Sequence, residues 1–312
     1  MCQECNVGLI ESLKLDREWV IEFLVEHGVF KPEINCPQCN SIVQLNKDKL
    51  YYRCYKMVAI GKSKKRQCKK KVLAKVKTFF GNSNLDLVLC WQYITLLLHV
   101  KPPRTDLFKN ELGFSARTIA NWCTYARDVI IHDCLRKSEK LGGNSKYVEV
   151  VEAVSITSTI EQVGTTSQLV LSGIEIESRN SFFVVIENPE SANLIAVFKE
   201  WILPNTFVVT ESSMIYGCLD DKQFLEFTSQ QSINFVKPKM MKQYNKSIER
   251  TWREVRLSIP SSTSLGSNSA GFLAEYQFKR KYERLQRLHH FFKAAGDLFK
   301  NDFKQESGSM EN

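Results

Sequence analysis

Residues 146–156 read KYVEVVEAVSI. The run is β-branched, apolar and of strand length, so it is expected to form a buried strand carrying two carboxylates, Glu149 and Glu152. Side chains alternate across a strand, which puts Glu149 and Val151 on one face and Glu152 on the other. Working outward, QLVLSGIEI (168–176), SFFVVIE (181–187) and TFVVTE (206–211) are further runs of strand length, and ANLIAVFKEWI (192–202) has helical spacing. Strands followed by a helix and another strand predict an α+β or α/β domain. Beyond it, residues 243–257 are expected to be helical through Ile248, Trp252 and Val255. Residues 260–270 form a polar loop, residues 271–300 an aromatic, basic helix, and residues 301–312 a disordered tail.

Upstream of the strand the period is helical. Leu9, Leu13, Trp19, Phe23 and Leu24 predict a helix over 7–30, and LDLVLCWQYITLLLHV (85–100) predicts another that ends at Pro102 and Pro103. RTDLFKNELGFSARTIANWCTYARDV (104–129) has the rhythm of a helix-turn-helix. Leu107 and Leu112 would pack the first helix, Gly113 would allow the turn and Ser115 would cap the second helix. Ile119 and Trp122 would face inward, leaving Arg117, Thr118 and Asn121 outward, where a recognition helix meets base edges. A plain helical hairpin with a solvated polar face would give the same pattern.

Residues 36–80 are short, β-like and punctuated by cysteine. Cys36 and Cys39 form a CxxC turn, and Cys54 and Cys68 follow at wider spacing. Zinc takes four soft ligands in a tetrahedron, so these four are the candidate ligands of a structural zinc. A zinc ribbon ordinarily closes with a second tight pair, whereas YKMVAIGKSKKRQ (55–67) separates Cys54 from Cys68; unliganded thiols in a small hairpin region are the alternative. Cys2 and Cys5 form another CxxC, either frayed or weakly metal-binding. Cys90, Cys123, Cys134 and Cys218 read as ordinary buried thiols.

The chain has 312 residues, enough for two or three domains, and 43% hydrophobic content suits a folded protein. Lysine and arginine outnumber acids 43 to 34, a net charge of +9 that favours an anionic partner. The excess concentrates in KSKKRQCKKKVLAKVK (62–77), which contains no acid. No apolar run is long enough to span a membrane, and no signal peptide is expected from the first residues; spaced cysteine pairs in a reducing compartment point to metal rather than disulfides.

CPQC (36–39), YYRC (51–54), the basic run ending in KTFF, SARTIANW (115–122), VEVVEA (148–153), WILPNTFVVTES (201–212), INFVKP (233–238), SIERTWREVRLSIP (247–260) and FLAEYQFKRKY (272–282) occur in this order. Together they resemble the Merlin-type DDE transposases of eukaryotic DNA transposons and their bacterial insertion-sequence relatives, over residues 20–290. The resemblance implies a zinc ribbon and helix-turn-helix that bind transposon ends, then a ribonuclease-H-like core, a mixed sheet flanked by helices and holding three acids. The implied division is a zinc-ribbon-like module over 1–80, a helix-turn-helix region over 81–140, the core over 141–300 and the tail.

The first acid of the family belongs to a V-E-I-D-E-like motif, which here reads Val148-Glu149-Val150-Val151-Glu152, so Val151 stands at the acid position. The second follows an I-I-S-D-like strand, here Val208-Val209-Thr210-Glu211. The third lies in an H-T-N-x-I-E motif, here Tyr244 to Glu249, which keeps Glu249 but loses the His, Thr and Asn. Such chemistry uses two Mg²⁺ ions, which need oxygen ligands that valine lacks. Glu149 shares the face of Val151 but is displaced along the strand by about 6.6 Å.

The expected function is therefore that of a transposase-derived protein, a domesticated transposon product, that binds double-stranded DNA but does not cut it. Lys64, Lys65, Arg66, Lys69, Lys70 and Lys71 would contact phosphates and Arg117 and Asn121 bases. The alternatives are an active transposase using Glu149, Glu211 and Glu249 with Mg²⁺, and an oligomeric scaffold in which residues 272–299 pair chains. The basic run also has the composition of a nuclear localisation patch, so the protein is expected in the nucleus.

Overall fold

The computed structural model describes residues 5–60, 64–81, 83–154, 158–160, 164–166, 169–178, 180–186, 190–210, 212–237, 253–254 and 269–299. The chain folds as two compact units, one of residues 1–100, 105–132 and 282–312, the other of residues 101–104 and 133–281.

In the first unit the helix expected over 7–30 is two helices, α1 (Leu9–Lys14) and α2 (Arg17–Glu26). Asp16 between them takes an extended backbone, and its carboxylate accepts the Trp19 N–H at 2.8 Å, an N-cap that starts a new helix. The cysteine-rich segment is built from β1 (Glu33–Asn35), β2 (Ile42–Asn46), β3 (Tyr51–Arg53), β4 (Met57–Ile60), β5 (Lys64–Gln67) and β6 (Lys71–Leu73). Four of these form an antiparallel sheet in the order β1-β2-β3-β6, and β4 and β5 form a separate hairpin. Then come α3 (Leu87–His99), α4 (Thr105–Leu112) and α5 (Ala116–Arg136). Trp91 of α3 is fully buried, stacks on Phe292 at 5.1 Å and donates its indole N–H to the Ser12 carbonyl. Phe292 belongs to α10 (Arg287–Leu298), so the helix expected over 271–300 is interrupted, at a 3₁₀ turn spanning Arg284–Gln286.

The second unit begins with β7 (Leu141–Gly142) and β8 (Tyr147–Val154), continues through β9 (Ser158–Ile160), β10 (Gly164–Thr166), β11 (Leu169–Glu175) and β12 (Ser181–Ile186), and reaches α6 (Ser191–Trp201). Next are β13 (Ile202–Leu203), β14 (Phe207–Val209), α7 (Ser213–Cys218), α8 (Lys222–Gln230), β15 (Asn234–Val236) and α9 (Ser269–Lys281). The five-stranded sheet has the order β12-β11-β8-β14-β15. β11 runs antiparallel to β8 and β12, whereas β14 runs parallel to β8 and β15, so the sheet is mixed and β8 lies at its centre.

Both faces of β8 are covered, which is why its sequence is apolar at successive positions. Val148 and Val150 pack with Leu171, Phe182 and Val208 against Leu194 and Phe198 of α6 and Phe224 of α8. Burying each such side chain contributes about 1.5–3 kcal/mol. On the opposite face Val151 packs with Val170, Ile174 and Phe183 against Leu273 and Tyr276 of α9. Gly173 sits where a Cβ would collide with the Phe182 ring, so this cross-strand pair needs glycine. The helix expected over 243–257 lies outside the described residues except for Arg253 and Glu254, which are helical.

Candidate functional site

Cys36, Cys39, Cys54 and Cys68 converge, with their sulfurs all within 4.8 Å of one another. The first two come from a knuckle closed by Asn40 N–H to the Cys36 carbonyl and Cys36 N–H to the Ser41 carbonyl, both 2.8 Å, with Asn40 in the left-handed region at φ 53°. The wide spacing of the other two is explained by β4 and β5. The intervening residues fold back on themselves, and Cys54 N–H to Lys70 O and Cys68 N–H to Lys56 O, each 2.9 Å, hold the two cysteines together at the base of the hairpin.

A Zn–S bond of about 2.3 Å places tetrahedral sulfurs about 3.8 Å apart. Cys36 and Cys68 are separated by 3.6 Å and Cys39 and Cys54 by 3.4 Å, so the four thiols fit a zinc ion. Hydrogen bonds from the Ser41 hydroxyl and backbone pull the Cys39 thiol down to about 6. At Cys68 a backbone hydrogen bond from Lys70 acts in the same direction, but burial and the three neighbouring sulfurs outweigh it and push the thiol up to about 12. Four adjacent sulfurs repel one another as thiolates, and a divalent cation at their centre removes that penalty. Ser41, 3.1 Å from Cys39 Sγ and 3.2 Å from Cys54 Sγ, is a supporting residue that the spacing of cysteines does not reveal.

Lys65, Arg66, Lys69, Lys70 and Lys71 are exposed around this centre; the Lys64 side chain lies outside the described residues. Strand alternation sends Lys65 and Arg66 to opposite faces of β5. Lys71 Nζ lies 4.5 Å from the Tyr51 ring centroid, and Arg53 lies over Tyr55 at 5.5 Å. In the helix pair, Gly113 takes φ 67°, and Ser115 Oγ accepts the Thr118 N–H at 3.1 Å as the cap of α5. Arg117 and Asn121 are exposed, and Ile119 and Trp122 are buried. Two details differ from expectation. Phe108 and Phe114, rather than Leu107 and Leu112, form the buried side of the pair, because their rings reach Tyr93 at 4.4 and 5.7 Å. Thr118 is half-buried and its hydroxyl is bound to Ser115.

On the central strand, Glu149 is 1% exposed and stands opposite Ile174 on one side and Val209 on the other. β14 stops at Val209, and among the described residues β8 continues past it toward Val151 paired with β11. Val151 is half-buried among Val170, Ile174 and Leu273, and its carbonyl accepts the Ser172 hydroxyl at 3.2 Å. Valine and these apolar neighbours carry no side-chain oxygen, so residue 151 is not itself a Mg²⁺ ligand. Glu211 and Glu249 lie outside the described residues. The helix covering this face, α9, is anchored by a buried ion cluster: Arg104 reaches both oxygens of Glu275 at 2.8 and 2.9 Å, and Lys279 adds a third contact at 2.7 Å. Burial alone would raise the Glu275 carboxyl, but the two cations hold it at about 2.

Of the isolated thiols, Cys90 and Cys218 are buried, whereas Cys123 and Cys134 are half-buried. No helix among the described residues is long and apolar enough to cross a membrane.

No family model matches this sequence, and no curated protein matches it. Among solved structures the chain is similar to a chain of a simian T-cell lymphotropic virus intasome in complex with PP2A regulatory subunit B56 gamma, at TM-score 0.30 and 9% identity, over 53% of this chain and 58% of that one. It is also similar to the HTLV-2 integrase catalytic core domain in complex with magnesium in its dimeric form, at TM-score 0.27 and 13% identity, over 45% of this chain and 88% of that one.

Proposed function

We propose that this chain is a transposase-derived protein of the Merlin type that binds double-stranded DNA and does not cut it. The observation that carries the reading is the exposed run Lys65, Arg66, Lys69, Lys70 and Lys71 built onto a four-cysteine centre fit for zinc. A rigid cationic module of this kind contacts phosphates, and exposed Arg117 and Asn121 on a capped helix suit base edges. The mixed sheet with β8 at its centre is the arrangement that a ribonuclease-H-like core needs, which supports descent from a DNA-processing enzyme.

The apolar setting of Val151 supports loss of cleavage. A metal pair without its central carboxylate loses several kcal/mol of transition-state stabilisation, which is many orders of magnitude in rate. The second reading, cleavage with Glu149, Glu211 and Glu249, is favoured by one observation, the burial of Glu149 on the face that Val151 shares. Nuclear localisation and self-association belong to the proposal as properties of a transposase relative.

Full-length protein mixed with linear duplex and with supercoiled plasmid, in Mg²⁺ or Mn²⁺, separates these readings. The expected result is salt-sensitive duplex binding with the plasmid left intact. Metal-dependent nicking that disappears in Glu249→Ala would establish the second reading instead, and affinity indifferent to salt would reject DNA as the partner.

A further inference from the structure

Apart from the four-cysteine centre, a second group of metal-ligating side chains meets inside the first unit. Cys5 precedes α1, His27 ends α2 and His289 lies in the first turn of α10. Their donor atoms are all within 4.8 Å of one another. His27 is the hub, with Nε2 3.3 Å from Cys5 Sγ and 2.9 Å from His289 Nδ1.

The other nitrogen of His27 decides its state. Nδ1 lies 2.7 Å from the Phe23 carbonyl oxygen, which can only accept, so Nδ1 carries the proton and Nε2 presents its lone pair. A backbone carbonyl on the far nitrogen is also how a ligating histidine is commonly oriented. The Phe23 ring stacks on the imidazole at 3.8 Å and fixes its plane.

The Nε2 lone pair of His27 thus meets a thiol sulfur and a second imidazole nitrogen, the donor types that a soft cation takes together. A cation among the three takes a lone pair from each. The approach of α10 is built for this closeness, since a Cβ at Gly296 would stand 2.5 Å from the His27 carbonyl oxygen. Cys5 and His27 are 4% and 7% exposed and His289 is half-buried, so two of the three donors lie inside the unit and the third at its margin.

We propose that Cys5, His27 and His289 hold a second divalent cation of the zinc type, one thiolate and two imidazoles filling three corners of a tetrahedron. The softness of the set suits Zn²⁺ over Mg²⁺ or Ca²⁺. The ion joins the segment before α1 to a helix 262 residues further along from His27, so its role is to clamp the first unit.

The test is metal content per chain of the untagged full-length protein, by mass spectrometry after dialysis, together with absorption of the Co²⁺-substituted form. Wild type should carry two equivalents. Cys5→Ser and His289→Ala should each carry one, and so should the Cys36→Ser/Cys39→Ser double variant, whose remaining Co²⁺ spectrum should be that of a nitrogen-rich tetrahedral site. A wild type with one equivalent overturns the proposal, as does a second equivalent that survives both Cys5→Ser and His289→Ala. Should those two variants fail to fold by circular dichroism, the double variant decides: one retained equivalent upholds the site and none rejects it.

Discussion

Replacing Lys65, Arg66, Lys69, Lys70 and Lys71 by glutamine removes five exposed charges, together with the contact of Lys71 over the Tyr51 ring. Each phosphate neutralised contributes about 0.9 to the slope of log affinity against log salt. Lys65 and Arg66 project from opposite faces of β5, so three or four of these five cations reach one duplex. Between 50 and 200 mM salt, the run should then account for a loss of about 40- to 150-fold in wild-type affinity. The assay is fluorescence anisotropy of a labelled duplex titrated at several salt concentrations. The variant should bind more weakly at low salt and show a slope shallower by about 2.7 to 3.6. Far-ultraviolet circular dichroism should not change. Parallel slopes for variant and wild type would refute the reasoning, because the basic run would then not touch phosphate.

Removing the metal from the four-cysteine centre, by chelation or Cys54→Ser, should unfold β1 to β6, since structural zinc contributes about 10–16 kcal/mol to small modules; amide exchange in that segment left unchanged would count against the site. Glu275 should make stability acid-sensitive. Its folded pKa, about 2, lies below the ordinary 4.5, so its contribution is complete above pH 4.5 and fades as pH falls toward 2, a loss of about 3 kcal/mol that urea midpoints against pH should show in wild type and not in Glu275→Gln. At neutral pH the same substitution leaves Arg104 buried without its counter-charge and should cost about 3–5 kcal/mol, a deficit that a matching wild-type midpoint would disprove. Phe108→Ala should destabilise the helix pair by about 3–5 kcal/mol, whereas Arg117→Ala and Asn121→Ala should stay within about 0.5 kcal/mol in thermal melts while weakening DNA binding.

What the sequence by itself determined is what depends on local chemistry. The β-branched runs at 147–154, 169–175 and 181–186 are strands because their period and residue types suit little else, and Gly113 and Ser115 mark a turn and a cap through their own backbone preferences. The CxxC knuckle was legible for the same reason. The break at Asp16 was available in principle, as a capping residue inside a helical pattern, but the apolar period on either side concealed it. α7, α8 and β15 carried too few periodic residues to stand out, and they form because Ile215, Phe224 and Phe235 find a shared core with α6. Tertiary structure alone decided the rest. It brought Cys54 and Cys68 together across a hairpin, chose Phe108 over Leu107 by the reach of a ring, and lined position 151 with Val170, Ile174 and Leu273. It also set His289 beside His27. These are contacts between residues far apart in the chain, fixed by which surfaces exclude water together, and no local pattern encodes them.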